Sequence, residues 1–228
     1  MSLDNAKNLN LDGSQCAFAV VASRYNGELV DAMLADVLDT FSKCGVSEDS
    51  VRVVRVPGAS EIPVVASVLA SARNYDAVVA LGVVIAGDTP HHDIIGRSTA
   101  DALQRIAVDT GIPVVNGIIV ANTREQAEAR TTGSIRRGRE FAECAVDMAG
   151  VCFDVLEEYA LSMASDGDDE MEIDDGFEVL DSGFEGGLPD EFDDIESGGA
   201  VVLPEDEIYD KSAQKKRAVK RSRKPRKG

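Results

Sequence analysis

Short apolar runs alternate with amphipathic stretches over roughly the first 160 residues of this 228-residue chain. Residues 16–22 (CAFAVVA) are apolar and bounded by polar positions, as a buried parallel strand would be. Residues 28–43 then set Leu29, Met33, Leu34, Val37, Leu38 and Phe41 on one helical face, and Gly45 stands where such a helix can stop. The cycle repeats. Residues 51–56 (VRVVRV) predict a strand, and 61–72 a helix with Pro63 in its first turn, where proline is tolerated. Residues 77–85 (AVVALGVVI) form the most apolar strand, followed by a helix over 93–109. A fourth strand is predicted over 113–120 (PVVNGIIV), then a short helix over 124–129 and a long one over 136–161.

Four strands alternating with helices imply an α/β fold, a three-layer α/β/α sandwich around a four-stranded parallel sheet. Ligands in such sheets bind beyond the carboxyl ends of the strands. The segments to inspect therefore follow Ala22, Val56, Ile85 and Val120. The pattern fails after the last helix, which divides the chain into an N-terminal arm (1–13), a folded domain (14–162), an acidic tail (163–210) and a basic end (211–228).

Charge sharpens that division. The formal net charge is -18, from 41 acidic and 23 basic residues. Residues 165–210 hold 19 Asp and Glu with no Lys or Arg, and residues 211–228 hold 10 Lys and Arg with no acid. Residues 1–164 keep 22 acids and 13 bases, a net of -9, which argues against a domain that grips nucleic acid through a basic face. The acidic, glycine-rich tail is too poor in apolar periodicity to offset the entropy of ordering and is expected to be disordered. Its seven-residue echo, Gly176-Phe177-Glu178 and Gly183-Phe184-Glu185, is too short to imply a repeat fold. Cys16, Cys44, Cys144 and Cys152 have no metal-ligand spacing and are expected to be buried, reduced thiols. The N-terminus lacks the features of a signal peptide, and no apolar run reaches the roughly 20 residues of a spanning helix, so a cytoplasmic protein is expected.

The strand ends carry the chemistry. Tyr25, in Ser23-Arg24-Tyr25-Asn26, can stack on a planar heterocycle or simply pack. Ser60 and Glu61, after the turn at Pro57-Gly58-Ala59, can bind hydroxyls or merely cap a helix. Gly87-Asp88-Thr89-Pro90-His91-His92-Asp93 is a glycine turn running into a helix start, a source of free N–H groups for phosphate. It contains both histidines of the chain, whose ordinary pKa suits proton transfer in either direction near neutrality. A metal site of His91, His92 and Asp93 is disfavoured, because adjacent residues at a helix start diverge by about 100° each. Thr123 and Gln126 fit a capping box. Arg130 suits either the helix dipole or a bidentate phosphate clamp, and spacing does not choose between them.

Taken together, these segments resemble the lumazine synthase family. The resemblance spans residues 14–160 or so and rests on V-A-S-R-Y-N (21–26), R-V-P-G-A-S-E-I-P-V (55–64), G-V-V-I-A-G-D-T-P-H-H-D (82–93) and T-R-E-Q-A-E-A-R (123–130). Archaeal-type riboflavin synthase is related, but the G-x-T-x-H segment points to the lumazine enzyme. The resemblance implies a flavodoxin-like fold and a cofactor-free, metal-free condensation of 5-amino-6-ribitylaminouracil with 3,4-dihydroxy-2-butanone 4-phosphate. It implies that Tyr25 stacks on the pyrimidine, with Asn26 and Ala59 shaping that pocket. Ser60 and Glu61 would hold the ribityl chain, and Val83, Val84 and Ile85 the uracil edge. Gly87, Asp88 and Thr89 would cradle phosphate with Arg130, and His91 would shuttle protons. It further implies pentamers, single or stacked into decamers or 60-subunit shells, with sites between subunits, and an association with riboflavin synthase. Asn116 and Arg130 would then lie in the subunit opposite Tyr25, Glu61 and His91.

The chain departs from the family pattern in several places. Ala86 stands for the usual arginine, Asn116 for an aromatic that borders the heterocycle, Asn122 for a common aspartate and His92 for an aromatic. The stretch after Arg130 is one residue shorter, and its R-R-G replaces N-K-G, so either Arg136 or Arg137 is expected to add a phosphate-side cation. These changes leave open a catalytically weak paralogue, or a shell-forming scaffold. The basic end reads either as the neutralising partner of the acidic stretch or as an RNA- or cargo-recruiting terminus multiplied by assembly, the excess of acid favouring the first.

Overall fold

A computed structural model describes residues 11–165, so the basic end, most of the acidic tail and most of the N-terminal arm lie outside the described residues. Four strands, β1 (Phe18–Ser23), β2 (Val51–Val56), β3 (Ala77–Ile85) and β4 (Val114–Ala121), form one parallel sheet in the order β2-β1-β3-β4. Five α-helices connect and cover them: α1 (Gly27–Lys43), α2 (Ile62–Ser71), α3 (His91–Thr110), α4 (Arg124–Thr131) and α5 (Arg137–Ser165). The expected three-layer α/β sandwich with a parallel sheet is present. Its register aligns Phe18 with both Val51 and Ala77, and Val78 with Val114. The four carboxyl ends therefore line one edge of the sheet.

Burial follows strand position. The central strands β1 and β3 are buried almost throughout, as both faces are covered, whereas the edge strand β4 alternates buried with less buried positions and the edge strand β2 is mostly partly buried or exposed. Phe18, Val20, Leu81 and Val83 face a core shared with α1, α4 and α5. Ala19, Val21, Val78 and Ala80 face a second core shared with α2 and α3. Phe18 and Phe41 stack at 4.4 Å in the first core.

Several expectations need correction. The buried stripe of α1 is Leu29, Val30, Met33, Asp36, Val37, Thr40 and Phe41, while Leu38 is exposed. An apolar-only reading passed over two polar residues that the helix buries, and both find partners: Thr40 Oγ1 donates to the Asp36 carbonyl at 2.7 Å, and the Asp36 carboxylate pairs with Arg136. Helix α3 begins at His91, two residues early, so both histidines are in its first turn, and α5 continues to Ser165. Only Cys16 of the four thiols is buried; Cys144 is exposed, because its position on α5 faces away from the sheet. Gly45 ends α1 as expected, with φ of 82° and Val46 N–H donating to the Phe41 carbonyl at 3.0 Å. Among the described residues, no helix is long and apolar enough to cross a membrane.

Candidate active site

Three of the four predicted loops meet at the carboxyl edge of β2, β1 and β3. Tyr25 N–H donates to the Pro57 carbonyl at 3.1 Å, which sets the tyrosine beside the next loop. Its ring lies over Gly58, where a Cβ would stand 3.0 Å from Tyr25 Cδ2 and 2.9 Å from Glu61 Oε2. A side chain there would push the Glu61 carboxylate off the Gly58 amide and crowd the Tyr25 ring. Glu61 Oε2 accepts the Gly58 N–H at 2.7 Å, locking the turn from Gly58 into the short 3-10 turn Ala59–Glu61. The ring remains 71% exposed, so it offers a face to a ligand. Asn26, with φ of 54°, donates from Nδ2 to the Val83 carbonyl at 2.8 Å and ties the end of β1 to that of β3.

These contacts recast some expected roles. Ser60 and Glu61 are exposed at the sheet edge, whereas Ala59 is buried in the second core. The Val83 side chain is buried in the first core, so its contribution at the edge is its carbonyl. Val84 and Ile85 are partly buried. Ala86, at the usual arginine position, donates its N–H to the Ala121 carbonyl at 2.9 Å and joins the β3 and β4 ends.

Gly87, Asp88, Thr89 and Pro90 form an exposed turn into α3, whose N-terminus has no side-chain cap. The uncapped amides leave this end electropositive, as an anion site requires. His91 is exposed in that first turn. His92 behaves differently from a surface histidine: its side chain is only 12% exposed, its Nδ1 is buried without a hydrogen-bond partner, and its Nε2 lies 3.6 Å from Asp93 Oδ1. No group of three potential metal ligands occurs among the described residues.

Helix α4 brings the fourth loop. Thr123 caps it, its hydroxyl accepting the Gln126 N–H at 3.3 Å, but Gln126 Oε1 accepts from Asn122 N–H rather than from the cap residue. The capping box is thus displaced by one residue. Arg124 reaches Glu28 at 3.4 Å and Glu128 at 2.7 Å. Arg130 donates to the Gln126 carbonyl at 2.9 Å and pairs with no carboxylate among the described residues. Arg136 pairs with Asp36, and Arg137 pairs with Glu140 at 2.5 Å, so acids already engage both candidates for the extra cation.

Asn116 is not brought to this edge within one subunit. It pairs in register with Ala80, five residues short of the Ile85–Ala121 pair, or about 16 Å along the sheet. Its Oδ1 accepts the Ile118 N–H at 3.0 Å, and the residue is exposed on the outer strand. Sequence reasoning also missed the Asp36–Arg136 pair, although an acid between Met33 and Val37 on an apolar stripe signals a buried charge in need of a partner.

Comparison with known proteins identifies the family. The family profile of 6,7-dimethyl-8-ribityllumazine synthase matches residues 15–152. A 6,7-dimethyl-8-ribityllumazine synthase of Desulfotalea psychrophila is 38% identical over 145 residues, covering 63% of this chain and 92% of the relative. Enzymes of the same name from Stenotrophomonas maltophilia (39% over 135 residues, 59% of this chain and 87% of the relative) and Xanthomonas oryzae (40% over 129 residues, 57% and 82%) are similar. All four strands and the loops at their ends fall inside the matched region, and the chain belongs to the 6,7-dimethyl-8-ribityllumazine synthase family.

Proposed function

We propose that the protein condenses 5-amino-6-(D-ribitylamino)uracil with 3,4-dihydroxy-2-butanone 4-phosphate, giving 6,7-dimethyl-8-ribityllumazine, phosphate and water, the penultimate step of riboflavin biosynthesis. The observation that carries the reading is the Tyr25–Gly58–Glu61 cluster, in which motif segments more than 30 residues apart build one exposed aromatic face beside a fixed carboxylate. Tyr25 stacks on the uracil. A carboxylate has acceptor capacity beyond one amide, so Glu61 can hold Gly58 N–H and still accept from a ribityl hydroxyl. The amides of Gly87, Asp88 and Thr89 at the α3 N-terminus bind phosphate, and Arg130, with no acid partner, supplies its cation.

The chemistry asks for little more than proton movement. The 5-amino group attacks the ketone and a first water leaves to form the imine; phosphate departs, and attack of the ribitylamino nitrogen on the carbonyl so unmasked closes the ring and expels a second water. His91, exposed beside the phosphate turn, takes and returns the protons. Holding two substrates in one geometry supplies most of the acceleration.

The site is completed by a second copy of the chain. Val64 and Val68 on α2, Ile94 and Val108 on α3 and Val120 on β4 are 40–72% exposed, an apolar surface suited to burial between subunits. Asn116 lies on the same face of β4 as Val120, where a neighbour's uracil pocket can receive it. The family resemblance implies the number of copies, pentamers or multiples of pentamers.

Mixing the purified protein with both substrates and following the lumazine chromophore tests the function. Wild type is expected to form product, His91→Ala to lose roughly 100-fold or more in kcat, and Arg130→Ala to raise the KM for the phosphate substrate. No chromophore from wild type rejects the reading.

A further inference from the structure

The turn between α4 and α5 is held to α1 by three features that meet at one point. Asp36 is only 8% exposed, in the middle of the buried α1 stripe. Both of its carboxylate oxygens are taken by Arg136, from Nε at 3.1 Å and from Nη2, the two-pronged geometry that only a guanidinium provides. Arg136 has a left-handed backbone, φ 41°, which a residue with a Cβ adopts only when its surroundings impose it. Two residues on, Gly138 lies so close to α1 that a Cβ would stand 2.5 Å from the Met33 carbonyl and 2.7 Å from Asp36 Cβ.

This junction brackets α4. At its start Arg124 reaches Glu28 in the first turn of α1, one residue beyond Gly27 and close to Tyr25 and Asn26. Beyond its end Arg136 closes on Asp36. Arg130 sits between the two ties, and Arg124, Arg136, Arg137 and Arg139 are all matched by carboxylates. Cations matched by acids are poor ligands for a phosphate, and an unmatched one held on an anchored helix is a good one.

We propose that Asp36 and Arg136 are positioning residues for the phosphate-side cation: their pair fixes the α4–α5 turn on α1, and so fixes where Arg130 is presented. The assignment rests on the reading of Arg130 as the phosphate ligand. Asp36 touches no substrate; it acts through Arg136 and the turn. The departure from N-K-G to R-R-G thereby acquires a physical account, because the arginine that took the left-handed position is restrained by an acid on α1.

The test uses the full chain with Asp36→Asn, Arg136→Asn, Arg136→Lys and the double variant Asp36→Asn/Arg136→Asn. Inorganic phosphate binding by calorimetry, the KM of each substrate and the thermal midpoint are measured for each. Either Asn single variant is expected to weaken phosphate binding and raise the KM of the phosphate substrate by about tenfold, with the KM of the uracil substrate within about twofold. The double variant recovers the thermal midpoint, since it leaves no buried unpaired charge and asparagine tolerates the left-handed backbone, but its phosphate binding stays as weak as in the single variants, because the tie to α1 is still absent. Arg136→Lys does not rescue, as one ammonium cannot span both oxygens. If the single variants lower the thermal midpoint but leave phosphate binding and both KM values unchanged, the pair is only structural and the proposal is overturned. Equal loss for both substrates, or a lysine variant equal to wild type, overturns it as well. Should Asp36→Asn not fold, the exposed Arg136 variants decide alone. A wild type that binds phosphate through Arg130 but forms no lumazine rejects the function while leaving the positioning role to these same measurements.

Discussion

Thr123, Glu125 and Gln126 show how much local work one helix start requires. Thr123 caps the Gln126 amide, Gln126 reaches back to Asn122, and the Glu125 carboxyl is held below its ordinary value by its own backbone N–H and then by the Thr123 hydroxyl. Thr123→Ala is therefore expected to cost about 1 kcal/mol in urea unfolding, with Thr123→Ser close to neutral. The thiols behave in the opposite sense. Partial burial, the largest cause at each site, raises Cys44 and Cys152 above the ordinary 9.0, with Glu143 adding to it at Cys44. A group whose folded pKa is raised contributes stability that is fully present below its unfolded pKa and is lost as pH climbs through the folded value. Thermal midpoints of the reduced protein should therefore be insensitive to these thiols below about pH 9 and fall above it. Alanine replacement of both should flatten that alkaline fall; an unchanged slope contradicts the assignment. A cysteine's register on a helix was legible in the sequence, but its burial was not, since exposure of Cys144 depends on which way α5 rolls onto the sheet.

At the scale of elements, apolar runs located the strands closely: β2 and β3 occupy the predicted residues 51–56 and 77–85. Helix α1 was located equally well, and most of its buried face with it, through Leu29, Met33, Val37 and Phe41. The periodic pattern also chose Leu38, which is exposed, whereas packing buries Asp36, paired with Arg136 from beyond α4, and Thr40, whose hydroxyl bonds the Asp36 carbonyl one turn back. Close approaches were equally hidden. Gly117 in β4 reads as a strand weakness, yet a Cβ there would lie 2.7 Å from the Ala80 carbonyl, 2.8 Å from Leu81 Cδ2 and 2.9 Å from Phe141 Cδ2. Gly117→Ala is expected to destabilise by roughly 1–3 kcal/mol, because the backbone oxygen cannot yield as a side-chain tip can. A shift below about 0.5 kcal/mol in urea unfolding would show that α5 moves aside at little cost.

The whole molecule is where the proposed activity is decided. One subunit gathers Tyr25, Asn26, Gly58 and Glu61 at one edge but keeps Asn116 about five strand residues away. Val68→Glu on the exposed α2 face is expected to yield smaller species by native mass spectrometry and to abolish product formation; an active monomer would refute the shared site. The sequence by itself determined the alternation of strands and helices, the parallel sheet and the loops to inspect, because periodicity and turn chemistry are local and the motifs are contiguous in the chain. It also carried the family, since those motifs fall inside the matched region. Only the tertiary structure decided which groups meet. It placed Tyr25 over Gly58, engaged Arg136 and Arg137 with acids while leaving Arg130 without one, and turned His92 inward. The physical reason is range: hydrophobic periodicity records which face is buried, but a hydrogen bond or ion pair between residues up to 100 positions apart exists only once the layers have packed.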